Sequence, residues 1–358
     1  MASTLTAGGV DYRPSFPPDY TPGIGIVGCG GVARDWHLPA YEKYGVDVVG
    51  VYDPAPEATS GIRARFPCVG RVFPSLDELL ADPAIEVVDI ATGPDVRLDL
   101  IQQAVGAGKH VLAQKPLALD PLAAREIIDE AERRGIRIAV NQNGRWSPPW
   151  RIATLLIDED AIGDVVGVTH FLDKPLPPLL GTSFDEVEHF TIFDYFVHWI
   201  DISRCWLDGK TVAAVRAREY RPPNQPPETK AASAAWVEVQ CDDGASAMIR
   251  LIGDARTRRP SCPFWVHGSE GTIRGSVLLD SDFVELERDE LTTRFALEGA
   301  WYPDGFAGTL GELVTAIAEE REPFNSARHN LLSLRMTLAA CLSAEEGSRP
   351  VALDEIPR

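Results

Sequence analysis

Gly23-Ile24-Gly25-Ile26-Val27-Gly28-Cys29-Gly30-Gly31-Val32-Ala33 is the stretch whose reading decides the fold. A short apolar run, Ile24 to Val27, stops at three glycines within four residues, and a helical pattern from His37 to Tyr44 follows. That order is strand, tight turn, helix. Gly28 supplies the turn, Gly30 lets a pyrophosphate approach the backbone without meeting a Cβ, and Ala33 lets the helix pack on the strand. The free N–H groups and positive dipole of the helix N-terminus, around Gly31 and Val32, then face the phosphates. A second apolar run, Val46 to Tyr52, ends in Asp53, twenty residues after Ala33. An acid there can accept hydrogen bonds from an adenosine ribose. A lone glycine pattern, or a surface aspartate after a turn, would not need all three features in this order. The carboxylate would repel a 2′-phosphate, so NAD is expected over NADP, with Arg34 close enough in sequence to soften the repulsion.

Outward from this stretch, 358 residues suffice for two domains with full cores, and 45% hydrophobic with 24% charged residues is ordinary globular composition. The net charge of −19 disfavours nucleic acid and anionic membrane as partners. Six scattered cysteines without C-x-x-C spacing suggest neither zinc nor a disulfide framework, so no metal and a cytoplasmic setting are expected. Residues 1–22 lack signal-peptide character and read as a flexible leader.

From Gly23 to Gln142 strands and helices alternate, which predicts a doubly wound parallel sheet, a Rossmann domain over 23–142. Ser75 is placed to cap the helix that follows it. Beyond Asn143 the period changes. Strands at 165–172, 212–220, 235–241, 245–251, 263–267, 272–276 and 283–286, with a hairpin signal at Asp243-Gly244, predict an α+β domain over 143–358 with a mostly antiparallel open sheet. A helix over 190–207 should cover one face, and the other is left for a homodimer or homotetramer. Proline-rich loops are expected at 175–180 and 222–227. Helices over 306–320 and 328–346 close the chain and can return to the first domain; 351–353 reads as a last short strand.

The 190–207 helix is apolar nearly all round, apart from a stripe of Asp194, His198 and Asp201 at i, i+4 and i+7. Such a stripe suits a polar cavity, though a core histidine with an aspartate partner would read the same way. Lys115 follows the strand 110–113 at the carboxyl edge of the sheet, where folds of this kind bind ligands, and Pro116 fixes its turn.

The glycine fingerprint, Lys115-Pro116, the Asp194-x-x-x-His198 spacing, the segment Asn143-Gly-Arg145-Trp-Ser-Pro148 and the tail Gly311-Glu-Leu-Val-Thr-Ala-Ile…Pro323…Leu331…Ala340…Gly347-Ser-Arg-Pro-Val351 together resemble the glucose–fructose oxidoreductase/inositol dehydrogenase (Gfo/Idh/MocA) family. The resemblance implies Lys115, Asp194 and His198 as catalytic residues and a sugar, cyclitol or related polyol as substrate. Cofactor contacts are then expected from Gly28, Gly30, Gly31, Val32, Ala33, Asp53, Thr92, Gln114 and Lys115, and substrate contacts from Asn143, Arg145 and His189. Two positions depart from the family pattern: Gln114 stands where a glutamate is usual, and Arg97 where a histidine is usual. In the implied NAD(P)-dependent dehydrogenase, His198 acts as general base and Lys115 stabilises the reacting oxygen. Two other readings share these residues: glycoside cleavage with transient NAD reduction, and a regulator that senses dinucleotide and sugar without turnover.

Overall fold

The computed structural model describes residues 10–176, 179–253 and 257–357. Its chain forms two compact units. One comprises residues 13–146 and 300–331; the other holds 147–299 and 332–358, with residues 10–12. The first unit is thus discontinuous in sequence. It includes the helix Asp304–Ala318, one of the closing helices.

The first unit is built on six parallel strands: β1 (Ile24–Val27), β2 (Val48–Tyr52), β3 (Val69–Val72), β4 (Val87–Ile90), β5 (His110–Ala113) and β6 (Ile138–Val140). Their order is β3-β2-β1-β4-β5-β6, so the winding reverses between β1 and β4. β1 and β4 are buried at every residue, as helices on both faces of a parallel sheet demand. The crossover helices start at defined caps. Ser75 accepts the N–H of Glu78, and Asp120 accepts those of Leu122 and Ala123. Phe306, Leu310, Leu313 and Val314 from the returning helix join Ile24, Ile26, Leu38 and Tyr41 in one core. Each such side chain contributes about 1.5–3 kcal/mol by leaving water.

From residue 10 onward the expected flexible leader is packed. Phe16 and Tyr20 lie on the core of the first unit. The Tyr12 hydroxyl, in the other unit, accepts the Glu298 N–H at 2.5 Å. Three aromatic rings in so short a stretch offset its ordering entropy, and its prolines reduce that cost. Residues 1–9 of the leader, and 177–178 of the expected 175–180 loop, lie outside the described residues.

The second unit carries a nine-stranded open sheet: β7 (Val165–Leu172), β8 (Val212–Tyr220), β9 (Ala234–Cys241), β10 (Ser246–Ile252), β11 (Pro263–Gly268), β12 (Thr272–Ser276), β13 (Phe283–Arg288), β14 (Leu291–Arg294) and β15 (Val351–Ala352). Its order is β14-β13-β12-β11-β7-β10-β9-β8-β15, and only β7 and β10 run parallel. β14 extends the expected set by one edge strand. Alternation sets the faces: Ala247, Ile249 and Leu251 of β10 are buried, while Met248 and Arg250 are half-exposed. The helices Pro148–Asp158 and Val197–Trp206 pack against the sheet. Trp150 lies edge-on to Trp199 and Trp206, at 5.6 and 6.2 Å between ring centres, and His170 of β7 stacks on Trp206 at 5.6 Å.

The single helix expected over 190–207 is broken. Residues Thr191–Tyr195 form a wide turn in which the Phe196 N–H reaches back five residues to the Thr191 carbonyl at 2.8 Å. The regular helix starts only at Val197.

Candidate active site

Four loops leave the carboxyl edge of the six-stranded sheet with the expected cofactor residues on them. β1 opens into the glycine turn, β2 into Asp53, β4 into Thr92, and β5 into Gln114 and Lys115. Val27 is paired with both Tyr52 and Ile90, so three of these strands end level.

The glycine turn has the shape its residues suggest. Gly28 has φ +94°, and a Cβ on it would lie 2.8 Å from the Ala91 carbonyl oxygen, so only glycine fits. A Cβ on Gly30 would meet nothing within 4 Å. The space beside that backbone is free of protein, as approach of a phosphate requires. Ala33 is fully buried. Asp53 accepts the Cys29 N–H on one carboxylate oxygen (2.8 Å) and the Ala55 N–H on the other (2.9 Å). Each oxygen keeps a lone pair for a ribose hydroxyl. Burial, and then the charge of Asp53, push the Cys29 thiol up to about 12, so it is no thiolate nucleophile. All six cysteines are free. These residues fit a dinucleotide.

Lys115 sits in a turn held from both sides. Its own N–H donates to Oε1 of Gln114 at 2.8 Å, and the Lys115–Pro116 peptide is cis. Arg97, 1% exposed, donates to the carbonyls of Thr92 and Pro116 and so ties the loop after β4 to the loop after β5. The residue at this departure from the family pattern is therefore a strut. Asp89 offered a signal for the rest of the interior: a carboxylate in the all-buried strand β4 must find donors, and it finds Tyr41 and His37.

Two residues expected to touch substrate are occupied within this unit. Oδ1 of Asn143 accepts the indole N–H of Trp301 at 2.7 Å, and Arg145 donates to the Phe324 carbonyl at 2.6 Å. Both side chains fasten the returning segment 300–331.

In the second unit, Asp194 lies in the wide turn, and His198, 7% exposed, lies in the first turn of the helix Val197–Trp206. The stripe read along a regular helix does not hold as a set. Asp201 belongs to the core, where it accepts the Ser333 hydroxyl at 2.7 Å. His189, at φ +51°, stands between two carboxylates, with Nδ1 2.8 Å from Glu219 and Nε2 3.0 Å from Glu345. The Glu219 hydrogen bond chiefly raises its pKa to about 9, so at neutral pH it is an imidazolium donating to both. No ring nitrogen is left for a substrate hydroxyl.

Among the described residues, no helix is long and apolar enough to cross a membrane. Residues 23–142 match an oxidoreductase family with an NAD-binding Rossmann fold, and residues 150–274 match the GFO/IDH/MocA C-terminal domain. The chain is 26% identical to a 1,5-anhydro-D-fructose reductase of Ensifer adhaerens, over 90% of this chain and 96% of that one. It is also 26% identical to a D-apiose dehydrogenase of Paraburkholderia graminis, over 90% and 87%. An oxidoreductase of Agrobacterium radiobacter, solved with NAD+, L-tartaric acid and magnesium, shares the fold with a TM-score of 0.82 at 22% identity, over 94% of this chain and all of that one. On these matches, the chain belongs to the Gfo/Idh/MocA family of oxidoreductases.

Proposed function

We propose that the protein transfers a hydride between a nicotinamide cofactor and a carbinol carbon of a sugar, cyclitol or related polyol. The observation that carries this reading is the shared rim of the six-stranded sheet, where an open glycine turn, Asp53, Thr92 and Lys115 leave neighbouring strand ends. Relatives named for anhydrofructose and apiose support the substrate class. The nicotinamide, when bound, supplies the hydride acceptor or donor. Gly28, Gly30, Gly31, Val32 and Ala33 would hold its phosphates, and Asp53 the adenosine ribose, with NAD favoured over NADP because a 2′-phosphate would face a carboxylate.

The side chains supply the proton chemistry. His198 takes the hydroxyl proton as general base. Lys115 donates to the reacting oxygen and stabilises the negative charge that develops there. Asp194 orients the base or the substrate.

The test is a panel of polyols and glycosides with NAD+ and NADP+, following absorbance at 340 nm together with products. Net NADH from a polyol is expected; glycoside cleavage without it, or cofactor binding with no turnover, would reject the reading. On the substrate found, Lys115→Met and His198→Asn should each lower kcat by roughly 10²-fold or more with little change in NAD affinity. Near-normal turnover in both variants would remove these residues from the mechanism.

A further inference from the structure

Asp89 is the third residue of β4 and is wholly buried. Its Oδ2 accepts the Tyr41 hydroxyl at 2.6 Å and lies 2.6 Å from Nδ1 of His37, while Oδ1 has no partner among the described residues. A carboxylate so deep, satisfied on one oxygen only, depends on both of those donors. The second ring nitrogen of His37, Nε2, lies 3.1 Å from the carboxamide nitrogen of Gln114 and 3.2 Å from that of Asn141.

The orientation of Gln114 follows from its other contact. Its Oε1 accepts the backbone N–H of Lys115 at 2.8 Å; turned over, the amide would point its NH2 group at that N–H. The NH2 group therefore faces His37. The Thr309 hydroxyl beside Asn141 has one proton for two acceptors, Oδ1 of Asn141 at 2.8 Å and the Phe306 carbonyl at 2.9 Å, so the donor fixed toward Nε2 is that of Gln114. The Gln114 NH2 group takes the lone pair of Nε2, so the ring proton is on Nδ1 and is given to Asp89.

We propose that Gln114 is a positioning residue for Lys115, fixing the lysine's main chain and, through the same amide, the tautomer of His37. This rests on Lys115 serving the reaction as above. Position 114 then acts on Lys115 by placement rather than by charge. A carboxylate at 114 would set an acceptor against Nε2, and the contact could be kept only by adding a proton to His37. The anchored partner is not remote: His37 ends the turn Ala33–His37 that follows the glycine loop. One amide thus ties the strand end bearing Lys115 to the element that begins at the phosphate-binding turn.

Two substitutions in the full-length chain separate the contacts. Gln114→Met removes both hydrogen bonds, whereas Gln114→Glu keeps an acceptor for the Lys115 N–H and abolishes the donor to His37. Long-range proton–nitrogen spectra of His37 in the cofactor-free protein should show a neutral ring protonated on Nδ1 in the parent and a doubly protonated ring in Gln114→Glu. With NAD+ and the polyol identified above, Gln114→Met should lower kcat about 10-fold to 100-fold, the scale of a catalytic group misplaced by about 1 Å, with KM changed far less. A loss of melting temperature with kcat intact would mean a structural role only and overturn the proposal. The spectra need no substrate, so an error in the assigned reaction leaves them standing. A parent His37 protonated on Nε2, or one unchanged in Gln114→Glu, would overturn the proposal whatever the reaction.

Discussion

Asp53 does two things with one carboxylate. It closes the glycine turn by accepting the N–H groups of Cys29 and Ala55, and on the function proposed above it would set a negative charge against a ribose 2′-phosphate. Two unit charges near a surface interact by about 1–4 kcal/mol at contact distance, which is roughly tenfold or more in preference. Asp53→Ser should therefore raise kcat/KM for NADP relative to NAD by about 10-fold while weakening both, because two backbone donors lose their acceptor. An unchanged ratio would mean that the carboxylate does not face the ribose. The glycine turn and Asp53 were legible in the sequence because their meaning is local, within about thirty residues. Asn143, Arg145 and His189 were not. Their partners Trp301, Phe324 and Glu345 stand more than 150 positions away, so nothing in the flanking residues marks these contacts.

The elements of the second unit were expected mainly from alternation, and alternation says which residues turn inward but not what they meet. His170 of β7 turns into a box of Trp150, Trp206 and Phe264, and neither ring nitrogen has a hydrogen-bond partner among the described residues. Desolvation lowers its pKa to about 3. Above pH 6.5 the ring is neutral in folded and unfolded chains alike, and it costs nothing extra. As pH falls below 6.5 the unfolded chain takes up a proton that the folded one refuses. Stability then falls by at most about 1.4 kcal/mol per unit until the folded value near 3 is reached. His170→Phe should flatten this acid limb, seen as a smaller drop in melting temperature between pH 6.5 and 4. Parallel curves for the two proteins would show that the ring is already charged or solvated. The wide turn at Thr191–Tyr195 was hidden for another reason. A five-residue reach changes the angular step along the chain, and residue types do not announce it. That turn alters the step from Asp194 to His198, whereas His198 and Asp201 share the regular helix beyond it; Asp201 leaves the candidate set because the Ser333 hydroxyl holds it in the core.

At the scale of the molecule, the two fold classes follow from the periods read in the sequence, whereas the period of a closing helix allows its return to the first unit without fixing which helix returns. The open sheet bears on association. Its edge strands are short, β14 with four residues and β15 with two, which blunts edge pairing. Its broad face instead offers Phe171 and Trp265, 6.0 Å apart and half-exposed, with the Arg250 guanidinium over the Phe171 ring and Trp236 and Met248 on the adjoining strands. We expect this face to pair with a second copy, giving a homodimer or a tetramer made of dimers. Light scattering should report such a species, and Trp265→Asp should shift it toward monomer; a parent that is monomeric at every concentration would show the inference wrong.

The discontinuity of the first unit has a temporal meaning as well. A ribosome delivers β1 to β6 early, but Phe306, Leu310, Leu313 and Val314, which complete that core, come only after residues 147–299 have been made. Until then the nascent sheet has apolar side chains without their final neighbours, a state that invites aggregation or chaperone binding. The half that meets the ribosome exit first is thus the half that waits to be finished. A premature stop between residue 146 and the returning helix would leave that core unfinished, although every residue of its glycine fingerprint had already been translated.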